Sequence, residues 1–415
     1  MDFIQIVIYI SVYIGLFATS FYVLSFLADK KRPKELFEDS ELPRVSVVIP
    51  AYNEEASIKA TLKSITSSNY PKGKLEIIFV NDASTDKSLE IAKNFKSKIV
   101  KVFNRAKNSG SKAAASNYGF SKATGEIVFS MDADTIVDPE SLIRMVRFFK
   151  NKKVMAVTPA MILMDVKGIL ARVQHVEYLM GLFLRKAFAS VNAIYITPGA
   201  FTAYRRSFME KYGLYEEGNI TEDLEMALRI QSKGYLVENC PEAPAYTVPM
   251  YTFRDLLVQR RRWYFGLINN FIKYRKIIST KYGDLGAFVI PVALFSIVLA
   301  LIVTGYLFFK LIFDIRKELE FLQTINFDFS SIYDLNLYIV ERFLYHLVSN
   351  PIVLFVLLFV FILLFYLYYA QKKIGKSFEL LINVPIFFAL FAVLFAFWWM
   401  VSLFYAIFIG SVKWR

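Results

Sequence analysis

Long apolar segments at both ends of the chain flank a middle region in which polar and apolar residues are mixed. The first segment, residues 3–27, has no charged residue and exceeds the about 20 residues that a helix needs to cross a bilayer. Three further apolar segments follow the middle region, at 286–312, 351–370 and 381–410. This pattern predicts a transmembrane anchor at 1–28 and a transmembrane region at 281–415, with about four membrane-spanning helices in total.

Within the middle region, short apolar runs rich in β-branched residues alternate with helical segments. The predicted strands cover 45–49, 75–80, 99–103 and 126–131, and the predicted helices cover 55–67, 86–94 and 112–123. Apolar strands separated by helices are typical of a mostly parallel sheet covered on both faces. Ligands bind beyond the carboxyl ends of such strands. The candidate residues there are Tyr52-Asn53-Glu54, Asn81-Asp82 and Asp132-Ala133-Asp134.

Two segments combine apolar residues with many charged ones. Residues 167–190 include Arg172, Arg185 and Lys186, and residues 251–280 include a run of three arginines. Both segments are too highly charged to span a bilayer. They predict amphipathic helices that lie at the membrane surface.

The composition agrees with a membrane protein, since 56% of the residues are hydrophobic and 17% are aromatic. Basic residues adjoin the apolar segments at 30–34 and in the loop 371–376, and they contribute to the net charge of +13. By the positive-inside rule they place the middle region in the cytosol and both chain ends outside. The sequence therefore predicts an integral, multi-pass protein of the cell (plasma) membrane. No nucleic-acid partner is expected, because no nucleic-acid reader motif is present.

Cysteine and histidine are rare in this sequence. Cys240 is the single cysteine, and His175 and His346 are the two histidines. An intramolecular disulfide and a metal site rich in cysteine or histidine are therefore excluded. We expect Cys240 to be buried and inert.

Two groups of polar residues suggest phosphate or metal chemistry. Asp132 and Asp134 follow a predicted strand and offer the hard oxygen ligands that Mg²⁺ and Mn²⁺ prefer, although acidic turns without a metal are common. Lys112 precedes a helix of small residues, where it could contact a phosphate group or remain a solvated surface lysine. Asn53 could be part of a base-binding turn or simply cap a helix.

Two further motifs are open to more than one interpretation. Thr221-Glu222-Asp223 precedes a predicted helix at 224–232, and the helix dipole favours an acidic first turn whatever its function. Gln259-Arg260-Arg261-Arg262-Trp263 lies in the second amphipathic segment. Three successive arginines point in different directions around a helix, so they cannot all serve one site. A basic helix at the membrane surface would also explain them.

The order of the motifs is more informative than each motif alone. Val80-Asn81-Asp82, Asp132-Ala133-Asp134, Thr221-Glu222-Asp223 and Gln259-Arg260-Arg261-Arg262-Trp263 resemble the membrane-integrated family-2 glycosyltransferases, which include the cellulose, chitin, hyaluronan and poly-N-acetylglucosamine synthases. The resemblance covers residues 44–265. It implies a cytosolic α/β domain of the GT-A-like, nucleotide-sugar-binding type at 29–250, a Mn²⁺ or Mg²⁺ cofactor, and a UDP-sugar rather than a GDP-sugar donor.

The resemblance also implies a role for each matching residue. Asp223 is expected to be the general base that accepts the proton of the acceptor hydroxyl in an inverting displacement. Asp132 and Asp134 are the implied metal ligands. The implied nucleotide-sugar-binding residues are Tyr52, Glu54, Asp82, Lys112, Asp132, Gln259 and Arg262. The implied acceptor-binding residues are Trp263, Glu222 and Gly199.

Three functions are compatible with these motifs, and we favour the first. A processive synthase would polymerise a sugar and extrude the glycan across the bilayer. A non-processive transferase would add one sugar to a lipid, such as a polyprenyl phosphate or a ceramide-like acceptor. A transporter or scaffold with an inactive domain would be expected to lack a catalytic aspartate, whereas all the aspartates of the motifs are present.

Two departures from the synthases bear on processivity. Only one apolar segment precedes the middle region, where several synthases have two. No convincing gating-loop motif is present either, although residues 412–415 are reminiscent of one.

Overall fold

The computed structural model describes residues 3–28, 41–326, 351–374 and 380–410, with isolated positions at 340–342, 344, 345, 349 and 412. The basic residues 30–34 and the chain after residue 412 lie outside the described residues. The basic loop 371–376 lies partly outside them as well.

The described residues form alternating strands and helices between apolar helices. The strands are β1 Val45–Ala51, β2 Leu75–Asn81, β3 Val100–Asn104, β4 Ile127–Met131, β5 Ile136–Val137, β6 Val154–Leu163, β7 Phe201–Arg205 and β8 Leu236–Thr247. The helices are α1 Phe3–Ala28, α2 Ile58–Thr66, α3 Ser88–Asn94, α4 Lys112–Phe120, α5 Ser141–Val146, α6 Gly168–Ser190, α7 Arg206–Tyr212, α8 Glu222–Ser232, α9 Phe253–Lys273, α10 Ile290–Thr324, α11 Pro351–Ile374 and α12 Leu380–Phe404.

The strands of the described region form one sheet in the order β3-β2-β1-β4-β7-β6-β8-β5. β1 pairs in parallel with β2 and β4, β2 with β3, and β6 with β8. β7 is antiparallel to both β4 and β6, and β5 is antiparallel to β8. The predicted mostly parallel sheet is therefore confirmed, and the four predicted strands correspond to β1–β4. The antiparallel β7 near the middle of the sheet has no counterpart in the sequence-based prediction.

Helices cover both faces of the sheet, which explains why β1 is buried along its whole length. Val47 and Ile49 belong to the core on the face of α2, and Val48 belongs to the core on the face of α4. Gly119 of α4 lies so close to the sheet that an added Cβ would stand 2.3 Å from Val48 Cγ1. This close packing fixes α4, and with it Lys112, at the edge of the sheet where β1, β2 and β4 end.

The two predicted amphipathic helices are present as α6 and α9. α6 packs against β6 and β8 on one side and against α1, α11 and α12 on the other. α9 packs against α8 and α12. The sheet domain is therefore connected to the apolar helices through these two helices.

Three helices are long and apolar enough to cross a membrane: Ile4–Leu27, Leu285–Thr324 and Leu380–Ile409. α11 contains a shorter apolar stretch at Val353–Tyr368. The predicted number of about four spans is therefore approximate.

The predicted span at 286–312 does not end where the sequence suggested, because α10 continues to Thr324. Ion pairs at i,i+4 spacing, Lys310–Asp314 (2.6 Å) and Arg316–Glu320 (2.8 Å), occur in its later turns. A helix of 35 residues is about 52 Å long, whereas a bilayer core is about 30 Å thick. The charged turns therefore extend beyond the apolar part of the helix.

Gly266 sets the distance between α9 and α8. An added Cβ would lie 2.2 Å from Thr221 Oγ1 and 2.5 Å from Thr221 Cγ2. We expect Gly266→Ala to force the two helices apart and to lower the free energy of unfolding by about 1–3 kcal/mol, the usual cost of overpacking. Thermal unfolding of the protein in lipid nanodiscs measures this effect.

Gly305→Ala is the matched control, since Gly305 also lies in a helix but its Cβ position is open. Alanine favours a helix more than glycine does, so this variant should unfold at the same temperature as the wild type or higher. Equal losses in the two variants would contradict the close contact at Gly266.

Candidate active site

Asp82 follows β2 and is held by the loop that precedes α4. Its carboxylate accepts hydrogen bonds from Ser109 Oγ (2.6 Å) and the Ser109 N–H (3.1 Å), and Arg105 Nε lies 3.4 Å away. Asn108 Nδ2 donates to the Asp82 carbonyl at 3.0 Å. The side chain is consequently buried and held in one orientation.

Tyr52 and Glu54 lie in the turn after β1, which is bonded to the turn after β2. Asn53 Oδ1 accepts a hydrogen bond from the Thr85 N–H (2.8 Å), and the Glu54 N–H donates to Ser88 Oγ (2.7 Å). Asn53 therefore joins two strand ends and does not cap a helix. Tyr52 and Glu54 are both half-buried at this edge of the sheet.

Asp132 and Asp134 lie in one turn after β4. The Asp132 N–H donates to the Ala200 carbonyl at 2.9 Å, which fixes the turn against the segment before β7. The Asp132 carboxylate forms an ion pair with Lys112. Burial and then the negative charge of Asp132 raise the pKa of Asp134 to about 6, because a second negative charge is unfavourable in this turn.

Lys112 is a buried ion-pair partner rather than a solvated surface lysine. Its side chain is 13% exposed, it pairs with Asp132, and its Nζ donates to the Gly199 carbonyl at 2.9 Å. Burial opposes its positive charge, but the carboxylates of Asp132 and Glu222 outweigh burial and raise its pKa. Lys112 thus joins residues from β4, α8 and the segment before β7.

Gly199 lies between Lys112 and Asp223. An added Cβ would stand 2.8 Å from Asp223 Oδ2 and 3.2 Å from Lys112 Nζ, so a side chain at this position would displace one of the two. Asp223 Oδ1 accepts the N–H of Leu224 at 2.8 Å, and the Asp223 carbonyl accepts Thr197 Oγ1 at 2.7 Å. These contacts direct Oδ2 of Asp223 toward Gly199.

Both acidic residues of the Thr221-Glu222-Asp223 motif have raised pKa values. Burial raises the pKa of Asp223, and the opposing effects of Lys112, backbone N–H groups and Arg262 are smaller. Burial and then the charge of Asp223 raise the pKa of Glu222 to about 7. A carboxylate with a raised pKa is a better general base than an ordinary surface carboxylate.

The three arginines of α9 contact three different parts of the molecule, as their helical spacing predicts. Arg260 Nη2 donates to a carboxylate on α6 at 2.7 Å. Arg261 Nη1 donates to the Tyr405 hydroxyl at 2.8 Å, beyond the end of α12. Arg262 is close enough to Asp223 to lower the pKa of that carboxyl group. Of the three, Arg262 is therefore the one that belongs to the site.

Gln259 and Trp263 flank the arginines and are both half-buried. Gln259 Oε1 is buried and has no hydrogen-bond partner among the described residues. The guanidinium of Arg260 lies 4.3 Å from the ring centroid of Trp263. Trp263 therefore shares a helix face with Arg260, on the side of α9 that is directed toward α6.

Most of the predicted site residues form one continuous group. The connected residues are Lys112, Asp132, Asp134, Gly199, Glu222, Asp223 and Arg262. Asp82 is bonded instead to the loop that leads into α4. Tyr52 and Glu54 lie at the end of β1, and Gln259 and Trp263 lie on α9.

Sequence reasoning missed three residues that hold Asp82 or this group in place, namely Arg105, Ser109 and Thr197. A signal for Ser109 was present in Ser109-Gly110-Ser111, because Gly110 adopts a positive φ of +76° and such turns direct neighbouring backbone N–H groups to one side. Thr197 and Arg105 carried no comparable signal.

Asp132 and Asp134 fit a divalent cation only together with ligands from a substrate. The described residues contain no group of three or more His, Cys, Asp or Glu side chains that could hold a metal by themselves. Two carboxylates plus diphosphate oxygens would suffice for Mg²⁺ or Mn²⁺.

Comparison with known proteins agrees with this geometry. The glycosyl transferase family 2 model matches residues 46–213, which contain all but the first residue of β1, all of β2–β4 and the residues at the ends of β1, β2 and β4. The chain contains a family 2 glycosyltransferase domain. The resemblance noted in the sequence and the GT-A-like fold are thereby confirmed.

Curated relatives of this chain come from several bacteria. The probable glycosyltransferase YdaM of Bacillus subtilis is 32% identical over 245 residues, which are 57% of this chain and 58% of YdaM. The poly-β-1,6-N-acetyl-D-glucosamine synthase of Staphylococcus epidermidis is 31% identical over 229 residues, which are 54% of this chain and 55% of the synthase. The chain thus spans little more than half the length of the curated relatives it matches.

Among solved structures, the mannosyltransferase PcManGT from Pyrobaculum calidifontis, in complex with GDP-Man and Mn²⁺, is similar at a TM-score of 0.52 and 25% identity. The match covers 65% of this chain and 76% of the mannosyltransferase.

The raised pKa of Glu222 predicts how the stability of the ligand-free protein depends on pH. Its folded-state pKa of about 7 lies above the value of about 4.3 for an unfolded glutamate, so the folded state binds the proton more tightly. Its contribution to stability is therefore present below about pH 4 and lost as the pH rises through about 7. Glu222→Gln should remove this loss, so that its unfolding midpoint exceeds that of the wild type by about 3 °C or more at pH 8.

The measurement is thermal unfolding in nanodiscs at pH 5 and pH 8. Glu90→Gln is the control, since it removes the same charge from a more exposed position on α3. If Glu222→Gln and Glu90→Gln changed the pH dependence of the unfolding midpoint alike, the raised pKa of Glu222 would be excluded.

Proposed function

We propose that this chain is an inverting, metal-dependent glycosyltransferase that uses a nucleotide-sugar, a UDP-sugar in preference to a GDP-sugar, to extend a polysaccharide at the membrane. The observation that carries the proposal is the half-buried cluster in which Gly199 separates Lys112 from Asp223. In this cluster a cationic group for a phosphate lies next to a carboxylate with a raised pKa.

The relatives support this choice of product. The S. epidermidis protein is a poly-β-1,6-N-acetyl-D-glucosamine synthase, which supports a polymer. The solved mannosyltransferase is in complex with GDP-Man and Mn²⁺, which supports a nucleotide-sugar donor and a divalent metal but not the preference for UDP. Because the chain spans only part of the length of the curated relatives, we transfer their activity to this chain as a proposal.

The reaction that we propose needs one base and no enzymic nucleophile. The acceptor hydroxyl oxygen attacks the anomeric carbon of the donor sugar, and its proton passes to Oδ2 of Asp223. The bond from the anomeric carbon to the diphosphate oxygen breaks, and the nucleoside diphosphate leaves with that electron pair. Attack opposite the leaving group inverts the anomeric configuration.

Donor binding is assigned to the edge of the sheet where β1, β2 and β4 end. Tyr52, Glu54 and Asp82 would contact the nucleoside, while Lys112 and Arg262 would pair with the diphosphate. Gln259 would bind next to Arg262. A bound Mn²⁺ or Mg²⁺, held by Asp132 and Asp134, would supply Lewis-acid neutralisation of charge on the diphosphate.

Acceptor binding is assigned to Trp263, Glu222 and Gly199. An indole ring offers an apolar face on which a sugar ring can stack. Gly199 leaves room for the acceptor hydroxyl beside Asp223, because no side chain covers the carboxylate there.

The same proposal includes the arrangement in the membrane. An anchor at 1–28 and a transmembrane region at 281–415 would flank a cytosolic domain at 29–250 and an interface helix at 251–280. The contacts of α6 and α9 with the apolar helices support this multi-pass arrangement.

Asp223→Asn should lower the transfer rate by about 10²- to 10⁴-fold while donor binding remains, because the amide keeps the shape of the side chain but cannot accept the proton. Release of nucleoside diphosphate reports the rate, and equilibrium binding of the labelled nucleotide-sugar reports the affinity. The control is Asp165→Asn, an exposed aspartate in the turn before α6. Retained turnover in Asp223→Asn would exclude Asp223 as the base.

The size and solubility of the product distinguish polymer synthesis from transfer of a single sugar to a lipid. Protein in nanodiscs receives labelled UDP- and GDP-sugars with Mn²⁺ or Mg²⁺, and the products are separated by gel electrophoresis and organic extraction. We expect a high-mass smear that a specific glycosidase digests and that chelation by EDTA prevents. One labelled sugar in the organic phase would instead establish transfer to a lipid. Absence of transfer from every donor would refute the proposed function.

A further inference from the structure

Arg260 is the fully buried arginine of α9, although no role in the site was predicted for it. Its side chain is 0% exposed, and its Nη2 donates to Glu177 Oε2 on α6 at 2.7 Å. The guanidinium carbon lies 4.3 Å from the ring centroid of Trp263 and 5.4 Å from that of Trp398 on α12. One side chain therefore joins α6, α9 and α12.

These contacts leave Arg260 little freedom. Arg260 and Trp263 are three residues apart, so they are neighbours on one face of the helix. A guanidinium within about 6 Å of an indole ring is attracted to its face, more strongly where water is excluded. Trp398 is fully buried. Glu177 accepts a hydrogen bond from one nitrogen of the guanidinium. The Trp263 ring consequently packs against a group whose position is fixed by two other helices.

Arg261 provides a comparison within the same helix. It also connects α9 with the last apolar segment, through a hydrogen bond to the Tyr405 hydroxyl (2.8 Å) and a cation–π contact at 4.5 Å. Its contacts lie on another side of α9. The attachment of α9 to the apolar helices therefore does not depend on Arg260 alone.

We propose that Arg260 is a positioning residue that holds the Trp263 ring in the orientation in which it binds the acceptor, and that α12 sets this orientation through Trp398. The inference rests on the proposed function of Trp263 as the acceptor platform. It adds a residue that controls acceptor binding without contacting acceptor or donor, and it makes an apolar helix part of the acceptor site.

The donor side has its own supports, so the two sides should respond separately. Asp82 is held by Ser109 and Arg105, and Lys112 is held by Asp132 and Gly199. Arg262, a proposed donor-binding residue on α9, acts on Asp223, whereas the Arg260 guanidinium contacts α6 and α12. A change at Arg260 should therefore alter acceptor affinity much more than donor affinity.

The first test compares the KM for the acceptor with the KM for the donor, measured on the full-length protein in nanodiscs. Arg260→Lys keeps the positive charge but lacks the planar guanidinium that stacks on indole rings. The donor is UDP-N-acetylglucosamine, and the acceptor is a β-1,6-linked N-acetylglucosamine pentasaccharide, which has the linkage of the S. epidermidis polymer. We expect the KM for the acceptor to rise about tenfold, with the KM for the donor changed by less than about twofold.

The second test does not depend on activity. The sequence has four tryptophans, so fluorotryptophan labelling should give a fluorine NMR spectrum in which Trp263→Phe identifies one resonance. Arg260→Lys should shift or broaden the Trp263 resonance, because the charge and the ring contact change beside it. Arg261→Lys, the matched control, should leave that resonance and the acceptor KM near their wild-type values.

The outcomes separate this inference from the proposed function. If the wild type transfers sugar but Arg260→Lys changes both KM values alike, or leaves the Trp263 resonance in place, Arg260 is only a structural tie and the inference is wrong. If the wild type transfers sugar from no donor, the proposed function fails. The NMR comparison then still decides whether Arg260 orients Trp263. Should Arg260→Lys fail to fold, Trp398→Phe gives the same test from α12.

Discussion

The candidate site depends on Lys112, which is the cation buried among the acidic residues of the motifs. The carboxylates of this site lie close together and are buried or half-buried, so each charge is costly unless it is compensated. Lys112 pairs with Asp132, acts on Glu222 and Asp223, and bonds to the Gly199 carbonyl. The compensation is incomplete, and the raised pKa values of Asp223 and Glu222 are the result. The same imbalance that makes the site costly to fold gives it a basic carboxylate.

Part of this arrangement could be predicted from the sequence because parallel strands end at the same edge of a sheet. Asp82 and Asp132 were therefore expected at the same edge of the sheet as soon as β1, β2 and β4 were recognised. The amphipathic helices were equally predictable, since their charged and apolar residues allow only a helix at an interface. For Lys112, the sequence left a surface position and a site position open, and only the packing of Gly119 against Val48 decides between them.

Other features depend on tertiary contacts that have no local pattern. β7 is antiparallel because it returns beside β4 after α6, and nothing within 201–205 specifies that direction. Helix geometry predicted that the three arginines of α9 contact different parts of the molecule. Their partners could not be predicted, because they lie far away in sequence: on α6 for Arg260, near α12 for Arg261 and on α8 for Arg262. Apolar composition cannot distinguish a lipid-facing side from a protein-facing one either. Asn383 of α12 is buried and bonded to Arg172 and His175 at 2.9 Å each, which identifies one side of α12 as protein-facing.

The contacts of α9 connect the chemistry with the apolar helices. Gly266 packs directly against Thr221, and Asn270 donates to Thr221 Oγ1 at 3.0 Å, so α9 cannot shift without moving the start of α8 and Asp223. Nearer the start of α9, Arg260 fixes the same helix to α6 and α12. A helix that is fixed at both positions links the packing of α12 to the start of α8. A movement of α12 would therefore be transmitted through α9 to Trp263, the proposed acceptor platform, and to Asp223, the proposed base.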